Sequence, residues 1–172
     1  MNPSQQFSAP WSSLVKIITT GVVLVLLAVA FIGVPALPPK TPALSKWLLC
    51  ALPAMVICGT LPFLVRGYVI GPRELEIIRL GWSNRIPLTE IVSAQADPLA
   101  MNGSLRLCGS GGMFGFFGVF RNGRLGVYRA YCTDLSRCVV VKLRTRTIVV
   151  SPDSPERFVA ALNERMGADD AA

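Results

Sequence analysis

Two long apolar runs dominate the first third of the chain. The first covers residues 17–37, directly after Lys16, and the second covers residues 47–65, directly before Arg66; neither contains a charged residue. Each is close to the roughly 20 apolar residues that a helix needs to cross a bilayer. A helix in a soluble core would show a polar face, and neither run has one. The pattern therefore predicts two transmembrane helices.

A short, proline-rich connection joins the two runs. The helices are therefore expected to form a hairpin, within an anchor that covers residues 14–66 and follows a tail over residues 1–13. A cleaved signal peptide is the alternative interpretation of the first run. That run is too long for the apolar core of a signal peptide, and no convincing small-residue cleavage site follows it.

Charge near the helix ends predicts their orientation. The connection carries two lysines, Lys40 and Lys46. The segment after the second helix carries four arginines: Arg66, Arg73, Arg79 and Arg85. Since positive charge is enriched in cytoplasmic segments, both chain termini are expected to be cytoplasmic, with the protein in the cell (inner) membrane.

From residue 67 onward, the pattern changes to short β-rich stretches separated by turns. Hairpin turns are expected at Asn122-Gly123 and at residues 144–146. Ser154 and Pro155 are good residues for a helix start, and an apolar stripe follows them. The tail over residues 167–172 is expected to fray. The predicted strands cover residues 74–80, 84–88, 90–96, 115–121, 124–131, 137–143 and 147–150.

The composition narrows the classes of function. The net charge is +7, but the basic residues are scattered and no nucleic-acid-binding motif accompanies them, so nucleic-acid binding is not expected. The chain has no histidine, which removes the commonest general base and the commonest metal ligand. Its five cysteines show no metal-ligand spacing, and no G-x-S-x-G motif occurs. No catalytic residue, cofactor or metal site is therefore predicted, and the protein is not expected to be an enzyme.

The glycine-rich segment at residues 109–112 looks like a phosphate-binding loop only superficially. It lacks the Gly-Lys-Ser/Thr ending and precedes a strand, whereas a phosphate loop opens a helix. The segment is predicted to be a flexible turn.

Three sequence features after residue 66 are more specific: the IPL-x-x-I step at residues 86–91, the Gly-rich segment ahead of a hairpin, and the SPDSPERF entry to the last helix. In this order they resemble the bacterial pleckstrin-homology-like (PH-like) domains, a family often joined to membrane helices. The resemblance covers residues 67–166. It implies a mainly β PH-like sandwich or barrel with a C-terminal capping helix, after the two transmembrane helices.

Two hairpin tips are the candidate sites for an anion or a partner. In a two-residue Asn122-Gly123 turn, Arg121 and Arg124 would stand opposite each other, and a bound anion would relieve their repulsion. Two interpretations are open: both tips are merely solvated, as hairpin ends usually are, or one tip meets anionic lipid or an acidic partner surface. The second tip carries Lys142, Arg144 and Arg146.

Met113 and Phe114 form a candidate interfacial loop ahead of a strand, which would dip into the membrane interface or hold a partner. The alternative is that the aromatic residues of this segment belong to the core. Taken together, the sequence predicts a membrane-anchored PH-like binding or scaffolding module that engages a membrane-protein partner or anionic lipid at the cytoplasmic face. An accessory subunit of a membrane enzyme or transporter is the alternative.

Overall fold

The computed structural model describes residues 4–33 and 35–169 of the chain. Residues 1–3 and 170–172 of the two predicted tails lie outside the described residues, and the last helix continues through Gly167. Three α-helices occur in the described part: α1 (Ser13–Ala28), α2 (Ala43–Thr60) and α3 (Pro155–Asp169). Ten strands accompany them: β1 (Gln5–Ser8), β2 (Val65–Ile70), β3 (Glu74–Arg79), β4 (Ser83–Pro87), β5 (Ile91–Ala96), β6 (Leu105–Gly112), β7 (Gly115–Asn122), β8 (Gly126–Cys132), β9 (Val139–Leu143) and β10 (Thr147–Val150).

The two apolar runs form the first two helices. α1 continues into a π-helical turn at Val29–Gly33, and α2 continues into a 3₁₀ turn at Leu61–Phe63. Each resulting segment is 21 residues long, with a mean hydropathy of 2.6 for the first and 1.7 for the second. Both are long and apolar enough to cross a membrane. The second is predicted to run through residue 65, but Val65 already begins β2 and is buried in the β-domain.

The segment predicted to be an N-terminal tail contains a strand. This strand, β1, pairs antiparallel with β2 and places Phe7 opposite Tyr68. Phe7 is buried, and its ring meets that of Phe158 edge to face at a centroid distance of 5.2 Å. The β-domain therefore includes chain from both sides of the helical pair.

The strands form two sheets. The first has the order β1-β2-β3-β4, and the second has the order β5-β9-β10-β8-β7-β6. Neighbouring strands are antiparallel except β10 and β8, which are parallel. The sheets do not close into a barrel. The predicted β-rich fold with a C-terminal helix is thus confirmed in the form of a sandwich.

The main core lies between the two sheets and α3. Phe158 and Leu162 of α3 are fully buried in it, which confirms the predicted apolar stripe. The hydroxyl of Tyr68 donates to the carbonyl of Tyr131 at 2.6 Å and accepts from the N–H of Ser151 at 3.0 Å. Burial raises the pKa of Tyr68 far above its ordinary value, so the phenol keeps its proton and both hydrogen bonds.

A smaller core covers the opposite face of the second sheet. The loop between β5 and β6 folds over that face, and its Ala100 and Met101 join Phe120 and Tyr128 in one buried cluster. The hydroxyls of Ser104 and Tyr128 are hydrogen-bonded at 2.6 Å, which closes the loop onto the strand.

The glycine-rich segment predicted to be a flexible turn is part of strand β6. Gly109 lies opposite Gly118 of β7, and both have a φ in the left-handed region, +109° and +120°. A Cβ at either position would collide with the facing backbone, so only glycine allows the two strands to approach so closely. The glycines therefore serve strand pairing, and the turn prediction is wrong.

Candidate functional site

Two hairpin tips meet at one end of the second sheet. β10 runs parallel to β8 and antiparallel to β9, so Thr147 lies between Tyr128 and Lys142. The loop after β7 and the turn after β9 are therefore side by side. We call this place the basic end, because it presents four exposed cationic side chains: Arg121, Lys142, Arg144 and Arg146.

The loop between β7 and β8 differs from the predicted two-residue turn. Asn122 pairs with Gly126, which leaves three residues in the loop, and Gly126 takes the positive φ of +68° that such loops require. The side-chain oxygen of Asn122 accepts from the N–H groups of Arg124 and Leu125 at 3.1 and 2.7 Å. Arg121 consequently lies opposite Val127, so the predicted facing pair of Arg121 and Arg124 is wrong.

Arg124 has a structural partner. Its guanidinium donates to a carboxylate oxygen of Asp97 at 2.8 Å and to the carbonyl of Leu99 at 3.2 Å. Both partners belong to the segment that follows β5, so Arg124 fastens that segment to the hairpin. The four residues of the basic end differ from Arg124, because none of them forms a salt bridge among the side chains that the structure describes.

The opposite end of the second sheet contacts α1. The turn between β6 and β7 holds Met113 and Phe114, and Phe114 is buried with a φ of +59°. Its N–H donates to the hydroxyl of Thr19 in α1 at 2.9 Å, and its ring lies 6.1 Å from that of Trp11. Phe114 is therefore part of the joint between helix and sheet, whereas Met113 is half-buried at the tip. We call this place the anchor end.

The two ends are far apart. Strand β7 begins at the anchor end with Gly115 and finishes at the basic end with Asn122. A rise of about 3.3 Å per residue separates the two ends by roughly 23 Å. The predicted basic site and the predicted interfacial loop therefore lie at opposite ends of one sheet.

A cavity of about 430 Å³ lies where the two sheets meet the end of the second apolar segment. Its volume falls in the range of roughly 300–1,000 Å³ that is usual for small-molecule sites. The lining is mainly apolar and aromatic, with two arginines. Its largest side chains are those of Phe63, Arg79, Trp82, Phe117, Arg129 and Tyr131.

Arg79 is the unusual member of this lining. Only 7% of its surface is exposed, and its Cζ atom lies 4.6 Å from the ring centre of Trp82, 4.9 Å from that of Tyr131 and 5.7 Å from that of Phe63. Its Nε has no hydrogen-bond partner among the described residues. Burial lowers the pKa of Arg79; the neighbouring Tyr131 opposes this shift through a hydrogen bond, and the positive charge of Arg129 adds to it.

The sequence carries a signal for Arg79 that charge alone does not show. Side chains alternate between the faces of a strand, so Leu75, Ile77 and Arg79 share one face of β3. The first two are fully buried core residues. A cation at the third position of an inward-facing row indicates either a paired charge or a binding site.

The model of the bacterial PH domain family, bPH_5, matches residues 66–166. The chain belongs to the bacterial PH domain family. The match begins in β2 and ends in α3, which confirms the resemblance over residues 67–166 and leaves β1, α1 and α2 outside the family region. No curated protein and no solved structure matches the chain.

This PH domain offers surfaces for binding. In the part of the chain that the structure describes, no group of three His, Cys, Asp or Glu side chains comes together to hold a metal ion. Burial raises the pKa of the Cys132 thiol well above its ordinary value, which keeps it protonated and unreactive. PH-like domains are in general binding modules. Among the described residues, neither the four cations of the basic end nor the two arginines that line the cavity form a salt bridge.

Proposed function

We propose that this bacterial PH domain is a membrane-anchored binding and scaffolding module whose basic end engages an acidic surface of a membrane-protein partner at the cytoplasmic face. The observation that carries the proposal is the placement of Arg121, Lys142, Arg144 and Arg146 together on adjacent tips. An acidic partner surface could contact these four side chains without breaking any salt bridge within the domain.

The attachment of the helices supports a protein partner more than lipid for the basic end. α1 joins the sandwich at the anchor end, where the N–H of Ser12 donates to the carbonyl of Thr133 at 3.1 Å. The second apolar segment joins the domain beside the first sheet, where the indole N–H of Trp82 donates to the carbonyl of Pro62 at 2.9 Å. With the helices in a bilayer, the basic end would lie on the aqueous side. The basic end lies roughly 23 Å from the anchor end. This separation exceeds two Debye lengths of about 8 Å each at physiological salt, so attraction of the basic end to lipid phosphates would be largely screened.

A photo-crosslinking amino acid in native membranes tests the proposal. Thr145 is the probe position, because it is exposed between two arginines of the basic end and carries no charge itself. Ser136, exposed in the short turn before β9, is the matched position near the anchor end. We expect a discrete protein adduct from position 145, absent from position 136.

The same probe in an Arg121→Ala/Lys142→Ala/Arg146→Ala variant supplies the control for charge. The adduct should be lost if the basic end recognises an acidic surface. An adduct that persists at equal yield, or one that consists of lipid, would overturn the proposal.

A further inference from the structure

We infer that the cavity beside Arg79 is a binding site for a single-chain anionic amphiphile, a long-chain fatty-acid carboxylate that enters from the bilayer. Its carboxylate would lie between Arg79 and Arg129, and its chain would follow the apolar wall toward the end of the second apolar segment. This site is separate from the basic end, and its test does not involve that end.

The charge of the cavity favours an anion. Arg79 and Arg129 line the same space, and among the described residues neither has a carboxylate within salt-bridge distance. Arg79 is more than nine-tenths buried, and among the described residues its Nε lacks a hydrogen-bond partner. A buried cation normally has an anion beside it, since burying an unpaired charge is costly. The rings of Trp82 and Tyr131, over which the guanidinium lies, compensate part of that cost, but among the described residues Nε still has no acceptor.

The walls favour a hydrocarbon chain. Phe117 and Val119 of β7 form one side, and Phe63, from the turn that ends the second apolar segment, stacks on Phe117 at 5.5 Å. Gly59 and Thr60 of the same segment also line the cavity. A chain held here would thus pass directly from the lipid-exposed helix end to the two guanidinium groups.

The size of the site selects the class of amphiphile. A cavity of about 430 Å³ is at the small end of ligand sites, which suits one chain rather than two. Because Arg79 is almost completely enclosed, the head group must be small, as a carboxylate is. A guanidinium can hold a carboxylate through two parallel hydrogen bonds.

The test uses the full-length protein in nanodiscs of zwitterionic lipid. Palmitate is compared with hexadecanol, which has the same chain without charge, and with single-chain lysophosphatidic acid, whose head group is a phosphate. Bound ligand is counted by native mass spectrometry after release from the disc. We expect one palmitate per chain and no retained hexadecanol. Equal retention of hexadecanol, no retained palmitate, or preference for lysophosphatidic acid over palmitate would each overturn the inference.

Three variants separate the site from general effects. Arg129→Gln removes an exposed cation and should weaken palmitate binding by about tenfold, as the loss of one charge-assisted hydrogen bond does. Val119→Trp grows into the cavity and should abolish retention. Arg106→Gln removes an exposed arginine of the neighbouring strand β6 that does not line the cavity, and it should change nothing. If Arg106→Gln lowers retention as much as Arg129→Gln does, the binding is general electrostatics and the inference fails.

Discussion

The two ends of the second sheet use their polar residues in opposite ways. At the anchor end, the hydroxyl of Thr133 donates to the carbonyl of Pro10 at 2.8 Å, and its N–H donates to the hydroxyl of Ser151, also at 2.8 Å. At the basic end, the charged groups project into solvent and form no salt bridge among the described residues. One end is a closed joint between sheet and helices, and the other is an open surface. The difference indicates which end can change its partner without loss of the fold.

The side of the membrane on which each region lies is the most decisive measurement on the two ends. The background variant has Cys50, Cys58 and Cys108 replaced by serine. In it, Lys40→Cys should react with an impermeant maleimide in intact cells, because the arginines after the second helix favour a cytoplasmic β-domain and therefore an external connection between the helices. Thr145→Cys should react only after lysis. The reverse pattern would place the basic end outside the cell and contradict the proposed cytoplasmic partner.

Phe7→Ala should cause the largest loss of stability. Its ring is buried against Phe158, and removal of a buried aromatic ring typically costs about 3–5 kcal/mol. The measurement is the free energy of unfolding of the full chain in detergent, followed by far-ultraviolet circular dichroism of the β-domain. Gln6→Ala, at the neighbouring exposed position, is the control. If both variants unfold like the wild type, β1 is not part of the cooperative domain.

Tyr68→Phe should cost less, about 1–3 kcal/mol, because it leaves the N–H of Ser151 and the carbonyl of Tyr131 without their buried partner. The cost should also depend on pH. The folded-state pKa of Tyr68 is raised above its ordinary value of 10.0, so its contribution is complete below pH 10 and is lost as the unfolded chain ionises above it. The difference in unfolding free energy between wild type and variant should therefore become smaller above pH 10. A gap that widens there would contradict a protonated buried phenol.

Arg124→Ala should have a small effect, at most about 1 kcal/mol, since the arginine of its ion pair with Asp97 is more than half exposed. A double-mutant cycle with Asp97→Asn should give less than additive losses in unfolding free energy. Arg121→Ala should leave stability unchanged, which distinguishes a structural arginine from one of the basic end. Additive losses in the cycle would mean that the pair does not fasten the segment after β5.

Long, strongly patterned elements were predictable from the sequence. The two uncharged runs gave α1 and α2, and the alternation and turn residues gave β3–β5, β7–β10 and α3 to within a few residues. β1 was not predictable, because four residues with one apolar side chain have no readable period, and its partner β2 lies on the far side of both helices. The local sequence carries no information on a pairing between strands that lie so far apart in the chain.

The candidate site was predictable only in part. Charge and turn residues indicated the two basic tips, but not that they adjoin, because the parallel pairing of β8 and β10 brings them together. The glycines of β6 looked like a turn, since the need for close strand approach is visible only once β7 lies opposite. The register of the β7–β8 hairpin depended on the side-chain cap of Asn122, which a two-residue turn rule ignores.

The pairing of β1 with β2 has a consequence for synthesis of the protein. β1 leaves the ribosome before its partner β2, which follows about sixty residues later, after both apolar helices. At roughly 5–20 residues per second, β1 waits several seconds without a neighbouring strand. Both helices emerge before the two strands can meet, and their pairing then ties the start of α1 to the end of the second apolar segment. The first sheet therefore connects the ends of the two helical segments only after both have been synthesised.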